Sequence, residues 1–150
     1  MASEAAISRR RQTALEVIDA FNKWSIEAIM GIRAENCTHQ ILPKSLERPL
    51  MDNAVYKAYF SSIMPHFKDF AVTTHDIIED AQENKVVIWA SSTASTEVGP
   101  YANEYTLIFY MNEAGDKITK FLEFVDSASS VAFFPKLREH LAQKANSEGS

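Results

Sequence analysis

The sequence predicts an α+β fold: a cone-shaped α+β barrel in which N-terminal helices pack on a strongly curved, mostly antiparallel sheet and a C-terminal helix finishes the chain. Three observations lead there. Apolar residues recur at helical spacing through Ala14, Val17, Ile18 and Phe21, and again before Pro65. From about residue 67 to about 127 the apolar period falls to two, with breaks at Glu83-Asn84, Gly99-Pro100 and Ala114-Gly115-Asp116. Helical spacing then returns through Val131, Phe134, Leu137 and Leu141. Helices first and meandering strands after them argue for α+β layering over alternating βα units. A sheet wrapped around helices leaves a cone with one open end, where a small molecule can enter.

Each element follows from local chemistry. Residues 7–23 form the first helix, with Ser8 as N-cap. A shorter helix runs from Trp24 and Ser25 to Ile32, with Ile26, Ile29 and Met30 on one side. Cys37 to Leu42 reads as a short strand closed by Pro43, and Pro43 to Pro49 as a loop. Asp52 caps a third helix over residues 53–64, whose apolar face is Val55, Tyr59, Phe60 and Ile63. Pro65, which has no backbone N–H, stops it. Strands are expected over residues 67–80, 85–97, 101–112 and 117–127. A short Gly-containing loop joins the last two as an antiparallel hairpin. The last helix covers residues 130–143, and the polar tail from Ala145 to Ser150 is expected to fray.

The 150 residues, 46% of them hydrophobic, suit a single domain over residues 1–150 with its core in about 8–143. A net charge of -5 and the lack of a basic stripe exclude a nucleic-acid surface. The basic run Arg9-Arg10-Arg11 reads as a solvated helix start. One cysteine, Cys37, excludes an internal disulfide, and with no base beside it a nucleophilic role is not expected. No apolar stretch has the length of a signal peptide or membrane span, so no membrane partner and a cytoplasmic setting are the expectation. The four His lack metal-ligand spacing and the four Gly are scattered, so neither a metal nor a phosphate-bearing cofactor is expected.

The chemistry concentrates in Gly99-Pro100-Tyr101-Ala102-Asn103-Glu104-Tyr105 and Phe121-Leu122-Glu123-Phe124-Val125-Asp126. Residues two apart on a strand share a face, so Tyr101, Asn103 and Tyr105 point together, and Leu107 and Phe109 continue that face. It is polar at one end and apolar at the other, as a closed pocket with a wet mouth requires. Glu123 between Leu122 and Phe124 is the candidate general acid or base, because apolar surroundings raise a carboxylate's pKa toward neutrality. Tyr101 and Tyr105 are candidate donors to a developing oxyanion. Arg33 is a candidate clamp on an oxygen substituent, and His39 a second acid or base. Asn103, Phe109, Phe121 and Asp126 are the candidate substrate-binding residues. On a regular strand Asp126 faces away from Glu123, and only a bulge would bring both into one pocket.

The order of these elements resembles the SnoaL-like branch of the nuclear-transport-factor-2-like superfamily over residues 10–140. The resemblance rests on His39-Gln40-Ile41-Leu42-Pro43, Met64-Pro65-His66-Phe67, Gly99-Pro100-Tyr101 with Glu104-Tyr105, and Glu123-Phe124-Val125-Asp126. It is nearest to small fungal isomerases and cyclases of natural-product pathways, whose members rearrange meroterpenoid lactones or steer a semipinacol shift in spiro-indole alkaloid assembly. In the semipinacolase an Arg, two Tyr and a Glu act together, a set that Arg33, Tyr101, Tyr105 and Glu123 match. The resemblance implies an isomerase or cyclase that uses no cofactor, acts on a polycyclic oxygenated small molecule and pairs as a homodimer. Two alternatives stay open: a dehydratase, and a domain that only binds a ligand or dimerises.

Overall fold

The structure, a computed structural model, describes residues 7–148. Helix α1 (Arg9–Lys23) starts where the Ser8 hydroxyl accepts the Arg11 N–H at 3.1 Å, and it ends at Trp24 in the left-handed region (φ 53°). Its buried side is Thr13, Ala14, Val17, Ile18 and Ala20. Helix α2 (Ile26–Gly31) is capped by Ser25 and buries Ile29. Strand β1 spans Arg33–Leu42 and so begins earlier than the expected Cys37. Its first stretch carries exposed Glu35 and Asn36 and an irregular register between Arg33 and Thr38, which hides the alternation.

Helix α3 (Asn53–Ile63) is capped by Asp52, whose carboxylate accepts the Val55 N–H at 2.9 Å. Its inward face differs from the expected one. Val55 is exposed, while Tyr56 is buried and packs with Phe60 and Ile63 toward the sheet. Strands β2 (Phe67–Asp80), β3 (Lys85–Thr96), β4 (Gly99–Met111) and β5 (Ile118–Val125) follow, then helix α4 (Ser127–Glu148). That helix starts earlier than expected because Asp126 caps it, accepting the N–H of Ala128 at 3.1 Å. Val131, expected on its apolar side, is exposed, whereas Leu137 is buried and Phe134 and Leu141 pack beside it. Residues 145–148, expected to fray, continue the helix; the rest of that tail, 149–150, and residues 1–6 lie outside the described residues.

The sheet order is β1-β5-β4-β3-β2. Every pairing is antiparallel except β1 with β5, which is parallel. Register shifts in β2 between Lys68 and Ala71 and between Thr74 and Asp76 add local twist, which curls that edge over the helices. Helix α1 lies in the concave side, packing Ala14, Val17 and Ile18 on Val86, Ile88, Leu107 and Phe109. Its buried Thr13 hydroxyl donates to the Gly115 carbonyl at 2.7 Å, tying the β4–β5 turn to the helix. Helix α4 closes one end of the cone through Phe133, Phe134 and Leu137 against Phe67 and Tyr101. No helix among the described residues is long and apolar enough to cross a membrane.

Candidate active site

The concave face of β4 and β5 and the inner sides of α1, α3 and α4 enclose a cavity of about 700 Å³, its open mouth included. Aromatic rings dominate the wall: Phe21, Trp24, Phe60, Phe67, Phe70 and Phe121 among them. Among the described residues Glu123 is the one charged side chain of the lining, and Tyr56, Tyr59, Tyr101 and Tyr105 supply its hydroxyl groups. Pairing of Leu107 with Glu123 and of Tyr105 with Val125 makes Tyr105 and Glu123 diagonal neighbours on one face, with Cα atoms roughly 7–8 Å apart.

Behind Glu123 stands a relay of buried groups. Nε2 of His39 lies 2.9 Å from Oε1 of Glu123, and Nη1 of Arg33 lies 3.1 Å from Nδ1 of the same imidazole. A guanidinium only donates, so Nδ1 accepts, and the ring proton sits on Nε2 and is donated to the carboxylate. The imidazole is completely buried, stacked between the rings of Tyr56 and Phe121 at 4.3 and 4.2 Å. Burial pushes its pKa below the usual value, with the Glu123 hydrogen bond pulling the other way. Arg33 is held by Asn53, which accepts its Nε–H at 3.0 Å, and by the Tyr56 ring, 4.2 Å from its guanidinium carbon. Among the described residues Arg33 makes no direct ion pair, and it reaches Glu123 through His39.

A second network backs the two phenols. The Asn103 amide donates to the Tyr101 oxygen at 2.9 Å and to Ser130 at 3.2 Å, and its carbonyl accepts the N–H of Glu104 and of Asp126. Tyr101 and Tyr105 lie 3.0 Å apart through their hydroxyls, and Tyr105 meets the Ser92 hydroxyl at 2.7 Å. Burial raises the Tyr101 pKa to about 12 and that of Tyr105 well above its ordinary value, so both are protonated at neutral pH.

The structure thus gathers Glu123, Tyr101, Tyr105 and Phe121 on the cavity wall, with Arg33, His39 and Asn103 one layer behind. Two expected substrate-binding residues lie elsewhere. Asp126 is exposed and caps α4, since three residues from Glu123 on a regular strand end is the opposite face. Phe109 is fully buried edge-on against Phe121, at 4.7 Å, and fills core rather than wall. Tyr56, Ser92 and Ser130 are site residues that sequence reasoning missed.

Fold and cavity define an α+β cone with a largely apolar interior space beside one carboxylate. No protein-family model matches the chain. Core atranone cluster protein 11 of Stachybotrys chlorohalonatus is 36% identical over 132 residues, which cover 88% of this chain and 98% of that protein. A protein of Aspergillus novofumigatus named monooxygenase nsrQ is 32% identical over 125 residues, 83% of each chain. Among solved structures, the BvnE pinacolase of Penicillium brevicompactum superposes with a TM-score of 0.84 at 25% identity, over 89% of this chain and 96% of that one. The chain belongs to the SnoaL-like branch of the nuclear-transport-factor-2-like superfamily, among its small fungal natural-product proteins.

Proposed function

We propose that this protein is an isomerase or cyclase that works without a cofactor, rearranging a polycyclic oxygenated secondary metabolite by acid–base catalysis. The observation that carries the reading is the hydrogen bond from His39 to Glu123, the one carboxylate among the described residues of an otherwise uncharged wall. Because Arg33 fixes which ring nitrogen bears the proton, Glu123 rests as an acceptor on the cavity wall. It takes a proton from the substrate while the phenols stabilise charge on a carbonyl or alkoxide oxygen. The aromatic wall fixes the conformer that reacts. A neutral substrate fits this wall, which among the described residues carries no cationic side chain to hold a carboxylate or phosphate.

The outer face of the sheet exposes Trp89 and Phe124, and a second copy of the chain is the partner proposed for it. Sedimentation at low concentration tests that: a dimer mass supports it and a monomer mass throughout removes it.

The name of the nsrQ relative favours a second reading, oxygenation of the same class of substrate. One experiment separates the readings. The metabolite that accumulates when the gene is deleted is incubated with purified protein under air. A product of unchanged mass supports isomerisation or cyclisation. A product heavier by one oxygen atom establishes the oxygenase, one lighter by water a dehydratase, and a bound but unaltered compound a binding domain.

A further inference from the structure

We infer that Tyr105, and not Tyr101, is the phenol that delivers a proton to the substrate, and that buried Ser92 holds the Tyr105 oxygen ready for it. The inference rests on the acid–base reading above and assigns its acid. Donors and acceptors around the two phenols decide between them. Asn103 is saturated: both amide protons and its carbonyl are engaged, so its orientation is fixed. It donates to Tyr101, whose own proton has one acceptor among the described residues, the Tyr105 oxygen at 3.0 Å. Ser92 is 2% exposed, and its hydroxyl meets only Tyr105 among the described residues, at 2.7 Å. A buried donor left without an acceptor is costly, so Ser92 donates as well.

The Tyr105 oxygen therefore receives two hydrogen bonds, and its own proton has no protein acceptor left. Tyr101 and Tyr105 both line the cavity, but Tyr101 is buried and Tyr105 is partly exposed, so the free proton falls to Tyr105 and points to the space a substrate fills. Tyr56 and Tyr59 also line the cavity, but among the described residues neither hydroxyl oxygen is given donors that would support its ionised form. In the step itself the Tyr105 O–H bond breaks as a new O–H bond forms on a substrate oxygen. The electron pair stays on the Tyr105 oxygen, held by the O–H groups of Tyr101 and Ser92. The proton that Glu123 removes from the substrate restores the phenol at the end of the cycle, so no proton is gained or lost overall. Tyr101, Ser92 and Asn103 are positioning residues acting through Tyr105.

Neutron diffraction from deuterium-exchanged crystals of the ligand-free protein reads the hydroxyl directions directly. The expected map places the Tyr105 deuterium off both oxygen–oxygen lines and toward the cavity, with the Ser92 and Tyr101 deuterium atoms aimed at Tyr105. A Tyr105 deuterium on the line to Ser92 or to Tyr101 overturns the inference. This result stands whether or not the isomerase reading survives its own test. Where turnover is measurable, Tyr105→Phe is expected to lose at least tenfold more kcat than Tyr101→Phe. Ser92→Ala is expected to lower kcat about tenfold with KM unchanged, and Ser92→Thr to restore it. Equal losses from the two Tyr→Phe variants, or an unaffected Ser92→Ala enzyme, would overturn it as well.

Discussion

His39 donates its Nε2 proton to Glu123 across 2.9 Å, and the same ring takes a hydrogen bond from Arg33 on its other nitrogen. A cation and an anion are thus joined through a neutral imidazole buried between two aromatic rings. Direct contact of Arg33 with Glu123 would have spent both charges on each other inside the protein. The interposed ring keeps the carboxylate on the cavity wall and the guanidinium behind it.

The buried imidazole makes stability depend on pH. Burial depresses the His39 pKa below its ordinary 6.5, and Arg33 and Arg48 add to that while Glu123 opposes it. The folded protein keeps the ring neutral where the unfolded chain protonates it. This contribution to stability is therefore complete above about pH 6.5 and is lost as pH falls from there through the folded-state value, with a slope of at most about 1.4 kcal/mol per pH unit. Urea midpoints at about pH 7.5 and about pH 5.5 are expected to fall together with pH, and His39→Gln to flatten the difference. An unflattened difference in that variant would assign the effect to other groups.

Arg33 supports both the fold and the tautomer of His39. Its charge is buried, with one terminal nitrogen, Nη2, unpaired. Removing it alone strands its buried partners, Nδ1 of His39 and Oδ1 of Asn53, without a donor, at a cost of about 1–3 kcal/mol. Arg33→Met is expected to lower the thermal midpoint, and turnover to fall about tenfold or more because His39 loses the bond that sets its tautomer. Imidazole ¹⁵N shifts check the cause: the proton is expected on Nε2 in the parent protein and shared between both nitrogens in the variant. Arg33→Lys should not rescue turnover, since one ammonium cannot reproduce both the Nε bond to Asn53 and the Nη1 bond to His39.

The tie between α1 and the β4–β5 turn is a test of the fold apart from the site. Thr13 is completely buried and its hydroxyl is the donor to the Gly115 carbonyl. Thr13→Val keeps the shape and leaves that carbonyl short of a donor, for an expected loss of about 1–3 kcal/mol. Chemical denaturation measures it; a change near zero would show that water replaces the hydroxyl.

Much of this was legible in the sequence, and the reasons differ by residue. Alternation alone placed Tyr101, Asn103, Tyr105 and Leu107 on one face of β4 and set Glu123 opposite to Asp126, since strand parity is a local property. The caps at Ser8 and Asp52 were equally local. Tyr56 was missed because a rotation of one residue on α3 exchanges it with Val55, and both suit an apolar face. The early start of β1 at Arg33 was hidden by polar residues around Glu35, although Arg33, Cys37, His39 and Ile41 do share one buried side. The partnership of His39 with Glu123 joins strands 84 residues apart in a parallel pairing, which no local pattern announces. Ser92 lies in a small polar run, Ser91 to Thr96, whose buried and exposed members look alike until the sheet curls.

The central claim is that Glu123 moves the proton, and the most direct measurement compares wild-type protein with Glu123→Gln on the accumulated metabolite. The Gln side chain preserves shape and still accepts the His39 hydrogen bond, so the thermal midpoint should be little changed. The account predicts that both proteins bind the compound and that the variant forms the isomeric product about 10²–10⁴-fold more slowly. A Glu123→Gln variant with unchanged turnover would contradict it.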